Sequence, residues 1–202
     1  ERVSITVSAT SVLRRNAVKW EFERFMSKRG VIIANTGTPD VPEADAVRAY
    51  LAEFLQDPRI CPLPAPLWKI ILHAFILPKR AHASAEKYRQ IWTPQGSPLQ
   101  SGMASLAHKL QASFNEQDEA TLVRHGMSYG SPSIEQALNE LKAEGCDELV
   151  VLSLYPQNAL STTGVVADKM LAALSALDWH PQTKLVGYYS AHLLYLEAIA
   201  AS

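Results

Sequence analysis

The chain has 202 residues, 48% of them hydrophobic and 19% charged, which is enough apolar material for the buried core of one domain and too much for a disordered segment. Its 19 Lys and Arg against 20 Asp and Glu leave a formal net charge of -1, so nothing draws the whole molecule to nucleic acid or an anionic membrane, and any basic site must be local. The two cysteines, Cys61 and Cys146, lie far apart and outside any C-x-x-C arrangement, which argues against a disulfide framework, a zinc knuckle or an iron–sulfur cluster and fits a reducing cytoplasm.

The first residues, "ERVSITVSATSVLRRNAVKWEFERF", lack the apolar run and small-residue cleavage pattern of a signal peptide. Residues 1–29 are expected to be an extension outside the core, with Met26, directly before "SKRGVIIANTGTPD", as the expected natural start. The run "GVIIANT" (Gly30–Thr36) is a buried strand by composition, and the loop after it offers Asn35, Thr36 and Thr38 as hydrogen-bonding groups around Gly37. That loop is neither G-x-G-x-x-G nor a Walker sequence, and a turn with a local cap is the simpler alternative. In "PEADAVRAYLAEFLQD" the residues Val47, Tyr50, Leu51, Phe54 and Leu55 recur at helical spacing, and Glu43 and Asp45 favour the N-terminal end.

Between Pro62 and Leu99 runs a proline-rich excursion too long for an ordinary strand-to-helix connection, and insertions of that kind usually cover a site. "PLWKIILHAFILP" (Pro66–Pro78) falls short of the ~18 apolar residues of a membrane span and is interrupted by Lys69 and His73; it is expected to be a short buried or lip helix. Lys79 and Arg80 then stand just before a helix containing Tyr88, and Ser97 in the turn "QGSP" is placed to cap the next helix. An arginine fork binds carboxylate and tyrosine offers a ring and a hydroxyl, so the group suits a flat ligand with acidic edges. The bland alternative, favoured by composition alone, is a solvated basic helix start with a core aromatic.

"ATLVRHGM" (Ala120–Met127) is a second strand, followed by His125 and Tyr129 as residues that could face a ligand, although a lone strand-end histidine is more often packed. In "SPSIEQALNELKAEG", Ser131 is expected to cap the helix, Pro132 to take its first position, Gly145 to stop it, and Ile134, Leu138 and Leu141 to form its buried stripe. "ELVVLSL" (Glu148–Leu154) is the third strand; Pro156 ends its pairing, and Ser161, Thr162 or Thr163 is expected to cap "GVVADKMLAALSAL", with an anion site as the second use. "KLVGYY" (Lys184–Tyr189) is the fourth. Apolar strands alternating with helices predict an α/β fold, an open parallel sheet with helices on both faces, whose ligands bind outside the C-terminal strand ends.

"VIIANTGTPD", "VRAYLAEFLQDPRI", "LWKIILHAFILPKR", "YRQIWTPQGSPL", "HGMSYGSPSIEQAL" and "LYPQNALSTTG" resemble, in order and spacing, the N-terminal part of ferrochelatases, lyases that insert ferrous iron into a porphyrin in haem synthesis. The resemblance runs from Gly30 to about Ala200. It implies the first of two similar chelatase-like halves at 30–189, a porphyrin-lip insertion at about 62–99, and at 190–202 the start of a connection to a second half. Arg80 matches an arginine that contacts a porphyrin propionate, Tyr88 a tyrosine at the macrocycle, Ser97 a serine beside it, and Thr36 a variable position near the metal face. Tyr155 and Gln157 would line one wall of the cleft, and the lip around Trp68, Ile71 and Phe75 would bury the hydrophobic porphyrin edge, with peripheral membrane contact through 67–77 as its lesser use.

His192 aligns with a histidine of the family's Y-x-x-H-x-x-Y-like segment, to which some members assign a catalytic and metal-handling role; a neutral imidazole is both a proton acceptor near neutral pH and a ligand for iron. The resemblance implies porphyrin and ferrous iron as substrates and no permanent cofactor, and because Leu160 stands where some members carry a cluster cysteine, no iron–sulfur cluster is expected. Protoporphyrin and coproporphyrin stay open as substrates. The family's S-x-H-x-x-P segment and a later glutamate do not occur before Ser202, so these 202 residues are expected to be an N-terminal portion with little activity alone. The alternative is a non-catalytic porphyrin- or anion-binding α/β module.

Overall fold

The computed structural model describes residues 27–202 except 62, 118 and 119, so the expected N-terminal extension lies almost wholly outside the described residues. Four strands, β1 (Arg29–Gly37), β2 (Thr121–Tyr129), β3 (Glu148–Ser153) and β4 (Gln182–Val186), form one parallel sheet in the order β2-β1-β3-β4. In the two central pairings, Ile33 stands opposite both His125 and Leu152, and Leu152 in turn opposite Val186. The all-parallel α/β architecture expected from the alternating strands and helices is therefore present.

Among the described residues six helices connect the strands, α1 (Ala44–Gln56), α2 (Ala65–Ile71), α3 (Leu77–Ile91), α4 (Pro98–Gln117), α5 (Ile134–Ala143) and α6 (Val165–Ala176), and α7 (Leu193–Ala200) follows β4. The step from β1 to β2 runs one way across the sheet, and the steps to β3 and β4 run the other. Right-handed crossovers therefore put α4 on one face and α5 and α6 on the opposite face. The two cores follow from the alternation of side chains along each strand. Ile32, Ala34, Leu149 and Val151 pack with Leu138 and Leu141 of α5 and Val166 and Met170 of α6, whereas Val31, Ile33, Val123 and Met127 pack with Met103 and Ala107 of α4. Beyond α4, an apolar groove of about 550 Å³ remains between Phe114, Val150 and Val186.

Several local expectations are corrected. The fourth strand covers 182–186 rather than 184–189, because the chain turns away at Gly187 and the N–H groups of Tyr189 and Ser190 both donate to Pro156 O at 3.1 Å. Ser133, not Ser131, caps α5: its Oγ accepts from Gln136 N at 3.1 Å, while the Gln136 side chain accepts from Ser133 N at 2.7 Å. Pro132 accordingly lies outside the helix. Gly145 follows the last turn at φ 78°, and Ile134, Leu138 and Leu141 are buried, as their spacing predicted.

No hydroxyl of the "STTG" stretch caps α6. Leu160–Gly164 is itself a π-helical turn running directly into α6, so the helix has no N-terminal break there. Thr162 Oγ1 instead donates to Ala159 O at 3.3 Å, and Thr163 Oγ1 faces Ser153 Oγ at 3.3 Å. The excursion is a nearly continuous helical arm, with a second π-helical turn, Leu72–Ile76, between α2 and α3. Lys79 and Arg80 therefore lie inside the first turn of α3 rather than ahead of it.

The reciprocal Ser133–Gln136 bonding predicts that Ser133→Ala lowers stability by about 1 kcal/mol, whereas Ser131→Ala changes it by less than about 0.5 kcal/mol, as read from urea unfolding midpoints.

Candidate functional site

Every strand delivers its last residues to the same edge of the sheet, and the expected site residues must be located against that edge. At the end of β1, Thr36 N donates to Asn35 Oδ1 at 2.8 Å, and the next residue, Gly37, has φ 110°. A Cβ on Gly37 would stand 1.7 Å from Tyr129 O, so only glycine allows the ends of β1 and β2 to meet here. Thr38 follows, buried, with its Oγ1 unpartnered. Tyr155, just beyond β3, is half-buried beside Thr36; burial pushes its phenol up, and the Thr36 backbone acts in the opposite direction.

Behind this edge stands a run of aromatic rings. Tyr50 stacks on Phe54 at 6.2 Å and meets Tyr88 edge-on at 6.4 Å; Phe54 meets Tyr129 edge-on at 5.1 Å, and Tyr88 continues to Trp92 at 6.3 Å. The polar ends of these rings are satisfied: Tyr50 Oη donates to Gly37 O at 3.1 Å and Tyr129 Oη to Asp57 Oδ2 at 2.9 Å. Burial is the main cause that pushes both phenols far above their ordinary range, so they are neutral donors. Tyr129 is thus a packed, hydrogen-bonded residue, and Tyr88 joins α3 to α1 and the sheet.

Arg80 lies eight residues before Tyr88 on α3, about 12 Å along the axis, and is exposed beside the buried stripe Ala81 and Ala85. Ser97 caps α4 as expected, its Oγ accepting from Gln100 N at 3.1 Å. It is buried, and it borders a polar cleft of about 610 Å³ with Asp40, Trp92, Gln95 and Glu140, whose lining includes none of Thr36, Arg80, Tyr88 and Tyr155. Thr36, Tyr88 and Tyr155 therefore gather around one aromatic cluster, and Ser97 stands to its side.

Of the three expected lip residues, only Phe75 is turned to solvent. Trp68 faces α1, its Nε1–H donating to Leu55 O at 2.6 Å, and Ile71 is half-buried. The residues of α2 exposed with Phe75 are Leu67 and Ile70, on the side of the helix away from the Trp68–Leu55 contact. Opposite, Gln157 is exposed, and Leu160, at 74% exposure, projects from its π-helical turn. His192 is exposed at the start of α7, its N–H donating to Tyr189 O at 2.9 Å, and so hangs from the loop that Pro156 holds. Among the described residues no three His, Cys, Asp or Glu side chains come together as a metal-binding group. No helix among them is long and apolar enough to cross a membrane.

Residues that pattern alone did not single out complete the edge. Arg59 forms a two-point ion pair with Asp168, and Glu53 accepts from Gly130 N at 3.0 Å while pairing with Lys169 at 3.2 Å. The acidic spacing of Glu53 on α1 and Asp57 directly after it was the available signal for these contacts, but their partners are 72 to 116 residues away in the chain.

The Ferrochelatase family model matches residues 28–202. The ferrochelatase of Nitrosococcus oceani is 44% identical over 175 residues, covering 87% of this chain and 48% of that protein. The ferrochelatases of Actinobacillus pleuropneumoniae serotypes 5b and 7 are each 43% identical over 174 residues, covering 86% of this chain and 54% of theirs. The chain thus spans about half the length of the curated relatives it matches.

His125, half-buried on the α4 face, has its imidazole held below the ordinary value of 6.5 by burial, with Glu140 acting in the opposite direction. The unfolded chain takes up this proton first, so stability falls as pH drops through about 6.5, and unfolding midpoints of His125→Phe measured between pH 5 and 8 lose that part of the slope.

Proposed function

The chain belongs to the ferrochelatase family, and on that premise we propose that it forms the porphyrin-holding half of an enzyme inserting ferrous iron into a porphyrin in haem synthesis. The observation that carries this proposal is the placing of Tyr88 and Tyr155 around the same strand ends, with exposed Arg80 about 12 Å before Tyr88 along the axis of the same helix. A planar, apolar ring with carboxylates at one edge matches both features. Arg80 holds a propionate through its two-pronged fork, Tyr88 and Tyr155 border the macrocycle, Thr36 approaches its face, and Ser97 stands beside it. The exposed Leu67, Ile70 and Phe75 cover the hydrophobic edge and exclude water, with peripheral membrane contact through 67–77 as the lesser use of the same lip.

Insertion exchanges one ferrous ion for two pyrrole protons. The porphyrin must bend so that its nitrogens face the metal, and a neutral imidazole is suited to accept a proton or to pass on the iron as its waters leave. We assign that part to His192, which hangs from the loop tied to Pro156 beside Tyr155. Iron is substrate here, and no resident cofactor or cluster is assigned, since Leu160 supplies no thiolate. Two free cysteines suit a cytoplasmic enzyme.

Titration of the chain with protoporphyrin, followed by fluorescence, is expected to show binding that weakens about tenfold in Arg80→Ala, equivalent to ~1.4 kcal/mol. Porphyrin dimethyl ester should bind the unchanged chain as weakly as the acid binds Arg80→Ala. Equal affinities throughout would contradict the assignment, and retention of inorganic phosphate without porphyrin would favour an anion-binding module. The 202 residues by themselves, which contain no S-x-H-x-x-P segment, are expected to insert little or no zinc or iron in a fluorescence assay; robust turnover would contradict that.

A further inference from the structure

The arm that becomes the lip leaves the sheet beside the turn that forms the opposite wall, and one side chain bridges the two. Arg59, three residues beyond α1, donates from Nε and Nη2 to the two carboxylate oxygens of Asp168, the second bond being 2.8 Å. Asp168 is in the first turn of α6, directly after the π-helical turn Leu160–Gly164, and 109 residues separate the partners. The guanidinium lies against that turn: a Cβ on Gly164 would stand 3.1 Å from Arg59 Nη1. The base of the clamp is itself held, because Arg59 N donates to Asp57 Oδ1 at 2.8 Å and the other oxygen of Asp57 accepts from Tyr129 Oη. The arginine keeps the Asp168 carboxyl below the usual carboxylate range, as a charge-assisted pair should.

We propose that Arg59 is a positioning residue for porphyrin binding: by gripping Asp168 across Gly164 it fixes the separation of lip and wall, and hence the width of the cleft between them. This rests on the porphyrin assignment above. The side chains of Arg59 and Asp168 keep 33% and 53% of their exposure, so the pair contributes little to global stability. Its effect is geometric, since a two-point fork restrains orientation as well as distance. Lysine at position 59 would keep the charge and lose the fork.

The test uses the whole 202-residue chain and the variants Arg59→Ala, Arg59→Lys, Asp168→Asn and the Arg59→Ala/Asp168→Asn double variant. Hydrogen exchange is expected to speed up about tenfold at the amides of 160–164 in each, with the amides of Val31–Ala34 unchanged and the double variant no worse than Arg59→Ala. Protoporphyrin affinity should fall about fivefold in parallel, mainly through faster dissociation. Unchanged exchange at 160–164, additive effects in the double variant, or unchanged porphyrin affinity in Arg59→Ala would each overturn the clamp while the porphyrin assignment stands. A failure of the unchanged chain to bind porphyrin would overturn both.

Discussion

The edge-on contact between Tyr50 and Tyr88 is the point through which the helical arm is joined to the sheet. Tyr50 reaches the sheet through its bond to Gly37 O, and Tyr88 belongs to the arm, so this pair sets where the arm stands relative to the strand ends. Aromatic pairs of this kind add about 0.5–1.5 kcal/mol beyond the area they bury. The burial of Leu72 and Leu77, each worth about 1.5–3 kcal/mol, then fixes the arm along α1. Everything exposed on the arm, from Phe75 to Arg80, takes its place from these few contacts.

The stretch after β3 is held differently. There the chain uses polar and close-packed contacts: the Thr163 and Ser153 hydroxyls face each other in the interior, Pro156 O accepts two N–H groups from the loop after β4, and Asp168 meets Arg59. The arm and this stretch thus differ in chemistry. The arm is apolar and aromatic, with Lys79 and Arg80 midway along it in the first turn of α3, whereas the stretch after β3 is held largely through its backbone and bears Tyr155, Gln157 and Leu160. A ligand with a flat apolar body and an anionic margin is complementary to that asymmetry.

The parallel sheet was legible because its strands are short, apolar and separated by strongly periodic helices such as Ile134–Leu141. Local chemistry was legible where donor and acceptor are neighbours, as at Ser97 and Gly145. Ser131 misled because a serine and a proline in succession resemble a cap and a first position, whereas the reciprocal Ser133–Gln136 spacing decides the matter. The "STTG" hydroxyls misled for another reason: a π-helical turn removes the break that a cap would fill, and no propensity scale marks such a turn. Trp68 turns inward because its indole N–H finds an acceptor in Leu55 O of α1, a partner that helical spacing within the arm does not reveal. The Arg59–Asp168 and Tyr129–Asp57 contacts join residues 109 and 72 apart in the chain, and only the assembled sheet brings them together.

The central claim is that a porphyrin lies between the arm and the wall, over the ends of β1 and β3. A crystal structure of the chain with protoporphyrin tests it most directly. The account predicts the macrocycle between Tyr88 and Tyr155, one propionate on Arg80 and the hydrophobic margin under Phe75. A macrocycle seated in the polar cleft of Asp40, Gln95 and Glu140, or against the open sheet groove of Phe114 and Val186, would contradict it.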